Sequence, residues 1–141
     1  MRKEAEIRLA ELVEAAREAA KQAYAPYSGF RVGAALLLES GEVVTGANVE
    51  NVSYGLTICA ERSALVRAVA VYGPGVRLAA AAVVNLNEAP SPPCGACRQV
   101  LAEFMDAGAL VSFPAGEVGA VKQTALAIGE LLPFGFDMTL K

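Results

Sequence analysis

Three cysteines, each placed where a helix is expected to begin, constrain this chain more than any other feature of its sequence. Cys59 stands in Thr57-Ile58-Cys59-Ala60-Glu61-Arg62, at the head of one helical stretch. Cys94 and Cys97 stand in Pro92-Pro93-Cys94-Gly95-Ala96-Cys97-Arg98-Gln99, at the head of another. A helix N-terminus carries about half a positive charge and unsatisfied N–H groups, which favour a thiolate. Two cysteines three apart across a helix start can face one metal. A third from a second helix start completes three soft ligands suited to zinc.

The chain contains no histidine and no tryptophan. That excludes a Ser-His-Asp triad, a Cys-His protease pair, a zinc held by histidine and a haem held by histidine. It also leaves no histidine to fill a fourth zinc position, so a closed structural site would need Asp or Glu. Three protein ligands and an open fourth position are the pattern of catalytic zinc. Taken singly, Cys-x-x-Cys also fits a thioredoxin-like redox pair, and Cys59 a buried core thiol. The two elements together favour the metal.

Glu61 follows Cys59 by two positions, where a carboxylate that is not itself a ligand can move protons for a zinc-activated water. The bland alternative is a solvated first-turn glutamate favoured by the helix dipole. In an ideal helix positions i and i+2 point to nearly opposite sides, so Cys59 must lie at or before the first turn for both to face one cavity. Arg62, at i+3 from Cys59, can reach back to the thiolates and offset the negative charge of a three-thiolate zinc. Its alternative is a surface arginine paired with water.

The 141 residues fit one domain spanning 1–141, and a composition 55% hydrophobic and 19% charged can bury a full core. Residues from Lys3 to Tyr24 read as a helix, with Leu9, Val13, Ala16 and Ala20 at helical spacing and Glu4 and Arg8 as an i,i+4 pair. Phe30 to Leu38 and Val43 to Val49 read as a hairpin around Glu39-Ser40-Gly41-Glu42. A helix is expected from Ala60 to Val71, with Leu65, Ala68, Val69 and Tyr72 on one face, then a doubly covered strand from Leu78 to Leu86. Gly95 to Met105 reads as a helix with Val100, Leu101 and Phe104 inward and Gly108 as its stop signal. Short strands follow at Ala109 to Phe113 and Val118 to Leu126, then a helical turn at Glu130 to Pro133. This order describes a mixed sheet with helices on its faces.

The longest apolar runs are too short to span a bilayer. Met1 to Glu6 carries no apolar signal-peptide core, and the odd cysteine count argues against a disulfide framework; both point to the cytoplasm. A formal net charge of −3 disfavours a nucleic-acid partner.

Zinc base deaminases as a class carry a zinc-ligand-x-Glu element followed by Pro-Cys-x-x-Cys. The likeness here extends further, through Tyr24-Ala25-Pro26-Tyr27-Ser28-Gly29-Phe30-Arg31-Val32-Gly33-Ala34-Ala35, Asn48-Val49-Glu50-Asn51, Cys59-Ala60-Glu61-Arg62, Pro93-Cys94-Gly95-Ala96-Cys97-Arg98-Gln99 and Leu131-Leu132-Pro133. In this order, from about Ala23 to Phe136, the chain resembles the small homotetrameric cytidine deaminases. The resemblance implies a three-layer α/β/α sandwich around a mixed five-stranded sheet. It implies one zinc per chain on Cys59, Cys94 and Cys97, with Glu61 as proton shuttle. It further implies Asn48 and Glu50 at the ribose, Phe30 beside the base, Ala60 at the pyrimidine edge, Arg62 on the cysteine sulfurs and Gln99 behind them. Tyr54 and Phe136 correspond to positions that reach across subunits. Many members carry Ser where this chain has Pro92; proline keeps the carbonyl that receives the substrate amino group.

The implied reaction is hydrolytic deamination of cytidine, and of 2′-deoxycytidine, in pyrimidine salvage. Three rivals stand beside it: a deaminase of cytosine-containing nucleoside antibiotics, a nucleic-acid deaminase, and a zinc-stabilised binding module without catalysis. Arg62 after Cys-Ala-Glu favours the cytidine branch over the first, and net charge speaks against the second. Glu61 with the open fourth position speaks against the third.

Overall fold

In the computed structural model, which describes residues 2–138, helix α1 (Arg2–Ala20) opens the chain; residue 1 and residues 139–141 of the expected domain lie outside the described residues. Ala5, Leu12, Ala16 and Ala20 form its buried face, with Leu9 and Val13 beside them. The helix stops four residues short of the expected Tyr24. Lys21, Gln22 and Ala23 close with tighter i→i−3 bonds. Tyr24 then leaves to pair in parallel with Val49: its N–H donates to the Asn48 carbonyl at 2.9 Å, and its carbonyl accepts from Glu50 N–H at 2.8 Å. Pro26, which biases Ala25 away from helix, reinforces the exit. Arg8 makes its ion pair with Glu11 at 3.0 Å, one turn onward, while the expected partner Glu4 acts on it through charge alone.

Five strands form one sheet in the order β2-β1-β3-β4-β5. They are β1 (Val32–Leu38), β2 (Val43–Ala47), β3 (Leu78–Asn85), β4 (Met105–Glu117) and β5 (Ala120–Ala127). Only β3 and β4 run parallel, joined through helix α3 (Gly95–Phe104); the other neighbours are antiparallel. Side chains alternate across the sheet. Ala35, Leu37, Ala80, Ala82 and Val84 pack against α1. Leu36, Leu38, Ala81, Val83, Val111 and Phe113 face the helices of the opposite layer, α2 (Ala60–Tyr72), α3 and the short α4 (Ile128–Leu131). The result is the expected helix–sheet–helix sandwich, and it explains why β1 and β3 read as unbroken apolar runs. No helix among the described residues is long and apolar enough to cross a membrane.

Three expectations change from α2 onward. α3 ends at Phe104 and Met105 already pairs with Leu78, so Gly108 lies inside a bulge of β4 and is no helix stop. β4 also continues past Phe113 to Glu117. Pro114 is tolerated because the β3–β4 pairing ends at Ala82 and Ser112, two residues before it, and its partner is Gln123 of β5 across a hairpin closed by Val118-Gly119, with Gly119 at φ +89°. Tyr72, expected on the core face of α2, is exposed; Ala64, Leu65 and Ala68 carry the packing.

Gly46 sets how closely α2 approaches the sheet. A Cβ there would lie 2.4 Å from the Ala64 nitrogen, against backbone that cannot step aside. Gly46→Ala is therefore expected to destabilise the protein by about 1–3 kcal/mol through overpacking. Its thermal midpoint should fall, and an unchanged midpoint would show that α2 shifts freely.

Candidate active site

The two helix starts meet at one end of the sheet. Cys59 is the N-cap residue of α2 (φ −70°, ψ 156°) and Cys94 that of α3 (φ −67°, ψ 167°). Neither side chain caps its own helix, so both sulfurs are free to turn toward each other. Cys97 sits wholly buried in the first turn of α3. Because Cys59 lies before the first turn, Glu61 shares its cavity, which resolves the i, i+2 difficulty.

The donor set fits zinc. The three sulfurs all lie within 4.8 Å of one another, and the Cys59 and Cys94 sulfurs are 3.9 Å apart. A tetrahedral zinc with bonds of about 2.3 Å separates its sulfurs by about 3.8 Å. Arg62 Nη2 donates to the Cys59 sulfur at 3.4 Å. Its Nε–H is buried with no acceptor, a donor left over beside a cluster that becomes anionic as thiolates. Cys97 and Arg62 lower the Cys59 thiol to about 5, although burial opposes them. Cys59 and burial push the Cys97 thiol up. One thiol is thus already poised as a thiolate.

Glu61 is 5% exposed. Burial pushes its carboxyl up to about 7, with the neighbouring Cys59 charge adding to the rise. A carboxyl that changes protonation near neutral pH suits a group that both accepts and returns a proton.

A cavity of about 390 Å³ opens above these groups, lined by Phe30, Asn48, Glu50, Tyr54, Ala60 and Glu61 among others. The structure thus brings together Cys59, Cys94, Glu61 and five of the six residues expected around a substrate. Asn48 is locked by its own backbone neighbours: Oδ1 accepts from Val32 N–H at 2.9 Å, and Nδ2 donates to the Phe30 carbonyl at 2.8 Å. Glu50 Oε1 accepts from Tyr27 N–H at 3.0 Å and Ser28 N–H at 3.1 Å, while Oε2 accepts from the Ser28 hydroxyl. These bonds, the hydroxyl's first, hold the Glu50 carboxyl below the usual carboxylate range. Tyr54, on a single 3-10 turn (Tyr54–Leu56), lines the cavity yet is 82% exposed.

Phe136 lies elsewhere in its own chain. It borders a hollow between α3, α4 and the C-terminal segment, is 72% exposed, and its carbonyl accepts from Gln99 Nε2 at 3.0 Å. Gln99 therefore grips the C-terminal segment. Arg98 does the same from the next position, with Nε on the Pro93 carbonyl at 2.7 Å and Nη1 on the Leu131 carbonyl at 2.9 Å.

Three residues without a sequence signal of their own shape the cavity walls. Asn87 accepts from Arg31 N–H at 3.0 Å and donates to the Gly29 carbonyl at 3.1 Å, fixing one wall. Asn85 donates to the Ala89 carbonyl at 2.7 Å and to Ser91 Oγ at 2.8 Å, fixing the other. Ser28 is the third. Asparagine and serine in turns are too common for such roles to be read in advance.

Arg62→Gln is expected to bind zinc more weakly and turn over more slowly, because the sulfurs lose a cationic donor and the cluster becomes more electron-rich. Unchanged metal affinity together with an unchanged pH–rate profile would make Arg62 a bystander.

Comparison with known proteins agrees with this geometry. A family model described as the cytidine and deoxycytidylate deaminase zinc-binding region matches residues 7–112. The chain is 48% identical over 126 residues to the cytidine deaminase of Halalkalibacterium halodurans, covering 89% of this chain and 91% of that relative. It is 50% identical over 124 residues to the cytidine deaminase of Mycobacterium tuberculosis, covering 86% of each. The crystal structure of cytidine deaminase from Burkholderia pseudomallei aligns at a TM-score of 0.77 and 46% identity, covering 91% of this chain and 98% of that one. With its three thiols, its adjacent buried carboxylate and these relatives, the chain belongs to the cytidine and deoxycytidylate deaminase zinc-binding family.

Proposed function

We propose that this chain catalyses the hydrolytic deamination of cytidine and 2′-deoxycytidine to the corresponding uridine and ammonia. The observation that carries the reading is a buried carboxylate, Glu61, beside a three-thiol cluster at the floor of a cavity whose walls hold Asn48 and Glu50. Relatives of nearly equal length bear the name cytidine deaminase.

Cys59, Cys94 and Cys97 would hold one zinc, which when bound supplies Lewis acidity that brings water to a nucleophile near neutral pH. Glu61 takes a proton from the attacking water and delivers it to N3 of the pyrimidine. A further transfer through the same carboxylate lets the amino group leave C4 as ammonia. Ala60 presents backbone at the ring edge, Phe30 packs beside the base, and Asn48 with Glu50 meets the sugar hydroxyls. Asn48 still has one N–H and one lone pair free after its internal bonds, enough to engage a hydroxyl.

The direct test is loss of cytidine's ultraviolet absorbance with purified, zinc-analysed protein. A fully zinc-loaded protein that leaves cytidine unchanged would overturn the reading. If Asn48 and Glu50 hold the sugar, Asn48→Ala and Glu50→Ala should impair use of nucleoside far more than any residual use of free cytosine. Equal losses on both would indicate a folding defect instead.

The same reading includes a single domain over 1–141, acting in the cytoplasm in pyrimidine salvage as a homotetramer. Exposed Val52, Leu56 and Ile58, in the segment that carries Tyr54 to the cavity, support burial against a neighbouring subunit. Phe136, on the exposed C-terminal segment, would complete a neighbour's pocket. Mixing Glu61→Gln chains with Phe136→Ala chains should then restore some sites of normal KM; no restoration in mixed tetramers would defeat the shared site.

A further inference from the structure

Ser28 lies in the turn between α1 and β1, exposed to solvent, yet its hydroxyl joins two walls of the cavity. The oxygen accepts from Phe30 N–H at 2.9 Å. Its single hydrogen is donated to Glu50 Oε2. One side-chain atom therefore ties the backbone of Phe30 to the carboxylate of Glu50.

The Glu50 carboxylate needs that tie. Tyr27 N–H and Ser28 N–H both reach Oε1, and two bonds to one oxygen leave the group free to swing about it. The terminal torsion of glutamate has only a broad, shallow preference of its own. A third bond on the other oxygen fixes the carboxylate plane. It also completes a count: a carboxylate has about four lone-pair directions, and residues 27 and 28 fill three of them. The remaining direction, on Oε2, is the one available to a donor in the cavity. The turn itself does not depend on the hydroxyl, because Asn87 independently holds the Gly29 carbonyl and Arg31 N–H.

We infer that Ser28 is a positioning residue for nucleoside recognition: its hydroxyl fixes the plane of the Glu50 carboxylate and the spacing between that group and the Phe30 side of the cavity. This rests on the reading that Glu50 binds the substrate's sugar. Ser28 acts through Glu50, so its effect falls on KM. Threonine keeps the hydroxyl, and the exposed position has room for the added methyl group.

Steady-state kinetics on cytidine with zinc-loaded Ser28→Ala, Ser28→Thr, Glu50→Ala and the Ser28→Ala/Glu50→Ala double variant test this. Loss of one hydrogen bond to a charged group should raise KM about 10-fold in Ser28→Ala, with kcat within about 2-fold of wild type. Ser28→Thr should restore KM to within about 2-fold of wild type. The double variant should be no worse than Glu50→Ala alone, as expected for two residues acting as one unit. If Glu50→Ala raises KM while Ser28→Ala does not, the inference fails and the sugar-binding reading of Glu50 stands. Equal loss in the alanine and threonine variants, or additive loss in the double variant, would also overturn it. If Glu50→Ala itself leaves KM unchanged, the sugar-binding reading fails and takes the inference with it.

Discussion

Glu61→Gln should keep its fold and its zinc while losing most of its turnover. Glutamine matches glutamate in size and keeps a polar group at a position that is 5% exposed, so packing at the start of α2 should persist. The amide has no titrating proton. Losing one general acid–base group costs about 10² to 10⁴-fold. Because Glu61 is assigned both the proton from water and its delivery to the ring, the loss should fall toward the upper end. The zinc ligands are untouched, so metal analysis should still give about one zinc per chain. Burial also makes a stability prediction. The Glu61 carboxyl is raised to about 7, so its folded form binds a proton that the unfolded chain releases near 4.5. In metal-free wild-type protein this group's contribution is fully present below pH 4.5 and is lost as pH rises through about 7. Glutamine removes that dependence. Metal-free Glu61→Gln should therefore lose less stability than wild type between those pH values. Near wild-type turnover in zinc-loaded Glu61→Gln would place the proton transfer elsewhere.

The chemistry was legible in the sequence because it rests on residue types that few other roles require together. Three cysteines at two helix starts, with no histidine, leave little besides a soft-metal site, and the fold brings those starts together as expected. The layers were legible for a related reason. The unbroken apolar run at β3 read as a strand covered on both faces, and α1 lies on one face with α2, α3 and α4 on the other. The ends of elements were not legible, since partners far along the chain decide them. Tyr24 has helical neighbours, yet Asn48 and Glu50 claim its backbone. Pro114 argues locally against a strand, but the β3–β4 pairing stops at Ser112, so its missing N–H is harmless. The cavity walls were hidden for the same reason. Ser28, Asn85 and Asn87 act through partners that only the folded loops bring within reach.

Replacing Cys97 by serine should abolish both zinc and activity, the largest effect expected of any single change in this protein. Cys97 is wholly buried in the first turn of α3, and serine is smaller by little more than the difference between oxygen and sulfur. The helix should therefore survive, at a cost of about 1–3 kcal/mol if the buried hydroxyl finds no partner. The metal should not survive. Zinc binds through thiolate, and an alcohol stays protonated far above the pH at which a cysteine beside cations ionises. Two remaining soft ligands, one of them on exposed Cys94, cannot hold the ion against chelator or dialysis. Arg62 would then face a single near thiol at Cys59 with no metal to orient. Metal analysis should fall from about one zinc per chain to near zero. Zinc should raise the thermal midpoint of wild type but leave that of Cys97→Ser unmoved, because an ion that binds only the folded state stabilises it. Turnover should be lost more completely than in Glu61→Gln, which keeps its metal. A Cys97→Ser protein that retains one zinc and measurable turnover would remove Cys97 from the ligand set and require another donor beside Cys59 and Cys94.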